Sequence, residues 1–379
     1  DIGALESPYD GSGGSTELVV EYLEGWNIVG LPLYVEDASY GTLFSDAVDG
    51  TLYGYESSYY GSDVLDAGNG YWLVFTNDGS ADISGEAITS LTISLSEGWN
   101  LIAGISSPVP VGSISDPGGI IVSGTIYGYS SSYYSAVAIE PGKGYWLNAS
   151  ADGDVTFDEG LARSRPVFED MTAGANRLTI NGQDLYFGIE IPADKMMSYS
   201  LPPKPPSGAF DVRFKGNTKI RGENSEIEVM SPYETITISY DVVLDAGEYM
   251  HWVLSTGSGE EHTLEGTGEI TVPTEDTFTL ERKAIIPISY ALHQNYPNPF
   301  NPVTTLRYDL PDDNYVTLTI YDLNGREINQ IINTSQPAGH HSVMWNSTDS
   351  FGKPVSAGIY LYQIKTADFV QTRKMVLLK

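Results

Sequence analysis

Short runs in which apolar side chains fall at every second position recur along the chain, separated by glycine, asparagine and proline breaks. Such runs bury one face of a strand, because successive side chains of an extended backbone point to opposite sides. Residues 17–23 form the first. Residues 178–187 read as a hairpin, with Asn181-Gly182 suited to a type I′ turn. Residues 210–214, 226–230, 235–240, 252–254 and 277–280 supply further strands, enough for one sandwich of seven or eight. Residues 304–310 and 316–321, a turn at Asn324-Gly325, and strands near Ile328, Val343, Tyr360 and Val376 outline a smaller Ig-like sandwich. No long helical run interrupts them. The pattern predicts an all-β chain, with tandem β modules followed by Ig-like β-sandwich domains.

The front of the chain repeats itself. Glu24-Gly25-Trp26-Asn27 recurs as Glu97-Gly98-Trp99-Asn100, at an offset of 73. Tyr53-Gly54-Tyr55 with Tyr59-Tyr60 recurs as Tyr127-Gly128-Tyr129 with Tyr133-Tyr134, and Gly68-Asn69-Gly70-Tyr71-Trp72 as Gly142-Lys143-Gly144-Tyr145-Trp146, both at 74. Each unit reads as short strands punctuated by glycine turns, and the short connection near residues 86–90 favours one compact pair. Trp26, Trp72, Trp99 and Trp146 sit among apolar strand residues and are expected in the core. Tyr53, Tyr55, Tyr59, Tyr60, Tyr127, Tyr129, Tyr133 and Tyr134 are candidates for a protein interface or a sugar-stacking face, because tyrosine joins apolar area to a polar tip. The plain alternative is a tyrosine-rich, half-exposed sheet.

These features divide the chain into a Gly/Ser-rich start (1–15), a pseudo-symmetric pair of repeats (16–90 and 91–160), a sandwich (161–290) and a terminal sandwich (291–379). Arg163 and Arg165 mark the composition shift after the repeats, and residues 201–206, Leu-Pro-Pro-Lys-Pro-Pro, read as a connection on an edge or surface. A start at Asp1, without Met, reads as a processed product or a fragment.

Charge narrows the partners. Of a net charge of -31, residues 1–160 carry 23 acidic and one basic residue, Lys143. Such a surface repels phosphate backbones, which argues against nucleic acid. No stretch of eighteen apolar residues is present, so no membrane-spanning helix is expected. Without cysteine there are no disulfides, thiolate metal sites or cysteine nucleophiles.

The usual catalytic patterns are missing too. His251, His262, His293, His340 and His341 make no HExxH spacing, and there is no G-x-S-x-G elbow, Walker A loop or EF-hand loop. The turns Asn77-Asp78-Gly79 and Asp152-Gly153-Asp154 offer oxygen ligands for weak calcium binding, although turn formation alone accounts for them. No cofactor and no catalytic residue is expected.

One proline-rich stretch stands apart. In Asn295-Tyr296-Pro297-Asn298-Pro299-Phe300-Asn301-Pro302 three prolines fix φ and favour extended neighbours, while Tyr296 and Phe300 offer apolar anchors ahead of a strand. On physics alone this is a rigid linker. With Tyr321-Asp322-Leu323-Asn324-Gly325-Arg326-Glu327, Ala357-Gly358-Ile359-Tyr360-Leu361-Tyr362 and the ending 373–379, which includes Lys374 and Lys379, it resembles the C-terminal sorting domain of type IX secretion cargo from Bacteroidetes-like bacteria. The resemblance implies export to the surface or exterior of a Gram-negative cell and recognition by the secretion machinery. It makes Asn295, Pro297, Asn298, Pro299, Phe300, Asn301, Gly325, Gly358, Tyr360, Lys374 and Lys379 the motif residues. The GWN…GYW units resemble repeats found upstream of such domains in large secreted bacterial proteins, a resemblance that implies no activity. The expectation is a non-catalytic structural protein that self-assembles, as a homo-oligomer or polymer, into a surface layer or fibre. The alternative is a glycan-binding accessory region of a larger secreted enzyme or adhesin.

Overall fold

The computed structural model describes residues 14–160, 168–243 and 249–378. Most of the Gly/Ser-rich start, Arg163, Arg165 and Lys379 lie outside the described residues. The chain divides into two compact units: residues 1–244 with 253–281, and residues 245–252 with 282–379.

Each repeat builds the same four-stranded sheet. In the first the strand order is Gly25–Gly30, Gly70–Phe75, Tyr53–Tyr55, Tyr59–Gly61; in the second it is Gly98–Ala103, Gly144–Ala149, Ile121–Tyr129, Tyr133–Ser135. A second layer covers each sheet. It is Ser15–Tyr22 paired with Gly79–Ala87 in the first repeat, and Ser90–Leu95 paired with Gly153–Asp158 in the second. Apolar side chains from both layers fill separate cores, around Leu33, Leu73 and Phe75 in one and Ile105, Leu147 and Phe157 in the other.

The repeated motifs encode local geometry. Gly25 and Gly98 take φ of 86° and 96°, a left-handed conformation that favours glycine. Two residues on, the Asn27 and Asn100 side chains close the turn on both sides. Asn27 accepts from the Leu23 N–H at 3.0 Å and donates to the Leu23 carbonyl at 2.7 Å, and Asn100 does the same to Ser96. The residue between is a half-buried tryptophan that packs within its own repeat, Trp26 on Tyr53 and Trp72 and Trp99 on Tyr127 and Trp146.

The two repeats interlock about a quasi-two-fold axis. The Gly30 N–H donates to the Gly142 carbonyl at 2.9 Å, and the equivalent Ala103 N–H donates to the Gly68 carbonyl at 2.8 Å. Contact is so close that a Cβ on Gly30 would lie 2.1 Å from the Ala103 Cβ, and one on Gly144 would lie 2.3 Å from Ile28 Cγ2.

Among the described residues the sandwich that follows has ten strands, not seven or eight. One sheet orders Ile220–Arg221, Gln183–Phe187, Asn176–Ile180, Thr235–Val242, Gly266–Pro273; the other orders Asp211–Phe214, Ser225–Met230, Thr277–Ala284, Met250–Thr256, Glu261–Leu264. The strands missing from the sequence reading include the sheet edges Ile220–Arg221, Glu261–Leu264 and Gly266–Pro273. They are short or mostly solvent-facing, so they carry little apolar alternation. Asn181 and Gly182 both have positive φ, 43° and 90°, as a type I′ turn requires.

The C-terminal sandwich pairs Ala291–Leu292, Thr304–Leu310 and Gly339–Trp345 in one sheet with Glu327–Gln336, Asn314–Tyr321, Gly358–Lys365 and Val370–Leu377 in the other. Leu306, Leu310, Leu318, Trp345, Tyr362 and Met375 are fully buried between them. Among the described residues, no helix is long and apolar enough to cross a membrane.

Candidate functional site

The repeated aromatic residues of both repeats converge on one cluster, together with Leu201 and Ala209. Trp72 and Trp146 are fully buried. Each meets tyrosines of the other repeat edge-on: Trp72 with Tyr129 at 4.7 Å and Tyr133 at 6.3 Å, Trp146 with Tyr55 at 4.8 Å and Tyr59 at 6.4 Å. Trp26 and Trp99 flank the cluster, edge-on to Trp72 and Trp146 at 6.1 and 6.3 Å, with Tyr53 and Tyr127 beside them at 6.0 and 6.1 Å. Edge-to-face pairs of this kind contribute about 0.5–1.5 kcal/mol each beyond their buried area.

The proline-rich segment 201–210 lies across this cradle. Leu201, Pro202, Pro205, Ala209 and Phe210 are buried, so the segment expected on an edge or surface is an inward-facing strap. The reason is its chemistry. Proline offers apolar rings and carbonyl acceptors with no N–H to satisfy, which suits a floor of aromatic donors. Tyr133 Oη donates to the Pro203 carbonyl at 3.0 Å, and its repeat equivalent, Tyr59 Oη, donates to the next carbonyl, Lys204, at 2.9 Å. Trp26 Nε1 donates to the Ser207 carbonyl at 3.2 Å. Tyr129 Oη donates to the Phe210 carbonyl at 3.1 Å and accepts its N–H at 3.0 Å. Burial holds Tyr59, Tyr129 and Tyr133 well above the ordinary tyrosine range, so they stay neutral donors.

From the far side, Arg213 grips the strap. Its guanidinium is fully buried and bidentate on Asp211, with Nε–Oδ2 at 2.6 Å and Nη2–Oδ1 at 2.8 Å. Its Nη1 donates to the Pro202 carbonyl at 2.6 Å and to Asn217 Oδ1 at 3.0 Å. Asp211 fixes the fork, and the fork fixes the strap.

Six of the eight candidate tyrosines therefore face inward: Tyr127, Tyr129 and Tyr133 are buried, and Tyr53, Tyr55 and Tyr59 are half-buried. Tyr60 and Tyr134 remain partly exposed, but each ring lies over a glycine of the neighbouring strand, Gly54 or Gly128, where an added Cβ would come within 2.4 Å of the ring. Sequence reasoning missed Arg213, Asp211 and the strap carbonyls. The signal available was the proline run itself.

The sorting-like motif splits into a buried and an exposed half. Asn295 is buried: its N–H donates to Tyr362 Oη at 2.9 Å, and its Nδ2 donates to the Pro297 carbonyl at 3.1 Å and to Thr304 Oγ1 at 2.9 Å. Phe300 is buried against Trp345, and its backbone pairs in parallel with the last strand, its N–H on the Val376 carbonyl and its carbonyl taking the Leu378 N–H. Asn298 Oδ1 accepts the Val376 N–H at 2.9 Å. Tyr360 packs edge-on against Trp345 at 5.5 Å. Gly325, at φ 78°, completes a turn in which the Asp322 carboxylate accepts the N–H groups of Asn324 and Arg326. Tyr296, Pro297, Pro299, Asn301 and Lys374 are exposed, and Gly358 opens its strand half-buried. Lys379 lies outside the described residues.

The acidic turns serve the backbone. Asp78 Oδ1 accepts the Glu24 N–H at 2.7 Å, and its equivalent Asp152 accepts the Glu97 N–H at 2.8 Å. Among the described residues no group of three or more His, Asp or Glu side chains gathers in metal-ligating geometry. His340 and His341 part to opposite sides of their strand, His340 on Asp309 at 2.7 Å and His341 stacked on Tyr308 at 5.1 Å.

A family model described as the FlgD Ig-like domain matches residues 303–368. Among solved structures, the chain is similar to dimeric latent PorU from Porphyromonas gingivalis, at 11% identity and a TM-score of 0.21, over 96% of this chain and 30% of that one. It is also similar to PorZ of the same organism, described as an essential bacterial surface component of the type-IX secretion system. There the identity is 10% and the TM-score 0.19, over 62% of this chain and 50% of that one. The chain thus spans at most half the length of either structure. No curated protein matches it.

Proposed function

We propose that the chain is a non-catalytic extracellular protein, exported by type IX secretion and assembling at the cell surface or into a fibre. The observation that carries the export reading is the construction of the 295–302 stretch. Asn298 and Phe300 sew the start of the terminal sandwich to its last strand and Asn295 ties it to Tyr362 of the neighbouring strand, while Tyr296, 78% exposed, stands out beside exposed Pro297 and Pro299. A rigid frame presenting a fixed polar and aromatic surface is what an export receptor needs. Assembly is supported by exposed apolar side chains on that sandwich, Phe351, Met344 and Leu323 at 85%, 71% and 64%. It is supported also by Ser15–Tyr22, an edge strand among the described residues, which carries Val19, 62% exposed. The glycan-binding alternative draws less support, since six of the eight rings it would use are turned toward one another and the strap.

Expression in a type IX-competent host, with and without residues 291–379, tests export. The full chain is expected outside the cell and the truncation inside; equal export of both overturns this part. Negative-stain microscopy of the purified full chain, with and without calcium, tests assembly: ordered filaments or sheets are expected, and dispersed particles under all conditions refute it.

A further inference from the structure

The cradle has the parts of a peptide receptor. Two tyrosine hydroxyls, one from each repeat, donate to consecutive carbonyls of the strap, and an indole N–H reaches a third. Aromatic floors with hydroxyl and indole donors suit proline-rich segments because proline's stiff backbone loses little freedom on docking and presents unpaired carbonyls at fixed spacing. The quasi-two-fold axis explains why the donors come as a pair: equivalent tyrosines approach one extended strand from both sides.

We propose that the repeat pair is a receptor for a proline-rich extended segment, filled here by the chain's own residues 201–210, and that the same segment of a second copy occupies it in trans. A second copy offers the one ligand whose fit is already displayed: Leu201 and Ala209 seated in the aromatic cluster, Pro202 to Ser207 supplying carbonyls, and Lys204 exposed and pairing outward with Glu228 at 2.9 Å. Exchange would link copies through the aromatic cluster of the repeat pair. This reading rests on the cradle alone and stands or falls independently of the export proposal.

Complementation between two full-length variants tests it. One, Tyr59→Phe/Tyr129→Phe/Tyr133→Phe, keeps the strap and weakens the cradle; the other, with Pro202, Pro203, Pro205 and Pro206 changed to Ser, keeps the cradle and weakens the strap. Each alone is expected to sediment as a monomer, and an equimolar mixture to form a one-to-one heterodimer. A mixture that stays monomeric, with both variants folded by circular dichroism, overturns the proposal. A fluorescent peptide of residues 199–211 supplies a second measurement that needs no folded strap variant. It is expected to bind the wild-type chain saturably in competition with the internal strap, and to be displaced by the same peptide without the dye. Absence of binding to wild type up to millimolar peptide, the usual effective concentration of a tethered ligand, overturns it as well.

Discussion

Arg213 ties the strap's Pro202 carbonyl to a buried ion pair. A buried guanidinium is tolerable only because Asp211 answers its charge and two further acceptors, Pro202 O and Asn217 Oδ1, use its remaining protons. Removing one partner leaves a charge buried and unanswered. Arg213→Met is therefore expected to cost about 3–5 kcal/mol, read as a lowered urea midpoint for the first unit. Arg213→Met with Asp211→Leu should recover much of that loss, because two apolar side chains leave no orphan charge. A double variant as unstable as the single one would mean the ion pair matters for shape and not for balance of charge. In the terminal sandwich Phe300→Ala removes the ring against Trp345, and should cost about 3–5 kcal/mol in that domain. A domain melting temperature unchanged by that substitution would assign Phe300 a surface role.

At the level of elements, the two repeats are held by positions where no side chain fits. Gly30 and Ala103 are equivalents that meet across the quasi-axis, and only one of them has room for a methyl. Gly30→Ala should cost about 1–3 kcal/mol by overpacking, while Gly30→Ala with Ala103→Gly should restore most of it, since the swap exchanges the roles of the halves. Thermal melts of the two variants decide; an unrescued double variant would mean the asymmetry is fixed elsewhere. Much of this element structure was legible. Glycine at Gly25 and Gly98, asparagine two residues on, and a strand of tyrosine or tryptophan are local instructions, readable because each acts within four residues. The strap was not, because a proline run looks the same whether it crosses solvent or aromatic rings. What distinguishes the two is a surface contributed by Tyr59 and Tyr133, roughly seventy to a hundred and forty residues earlier in the chain. The edge strands escaped for another reason: Ile220–Arg221 and Glu261–Leu264 are too short to show a period, and Gly266–Pro273 faces mostly solvent.

For the molecule as a whole, the same burial that makes the cradle tight sets an alkaline limit. Burial raises the pKa of Tyr59, Tyr71, Tyr127, Tyr129, Tyr133 and Tyr145 above the ordinary value of 10.0. A phenol whose folded pKa is raised contributes stability that is fully present below the unfolded value and is lost as pH rises past it, because only the unfolded chain can release the proton. Below about pH 10 these tyrosines thus add no pH dependence; above it, several protons leave together on unfolding. The first unit is expected to unfold in a steep step on the alkaline side, with tyrosinate absorbance rising in the same step as near-ultraviolet circular dichroism falls. Carboxylate repulsion in so acidic a chain does not mimic this, since those groups are fully ionised well below that pH. Replacing Tyr133 with Phe should make the step shallower while leaving the fold intact at neutral pH. Tyrosinate signal that develops gradually, ahead of any loss of dichroism, would mean the cradle opens to solvent without the unit unfolding, and would place the strap among the looser parts of the molecule.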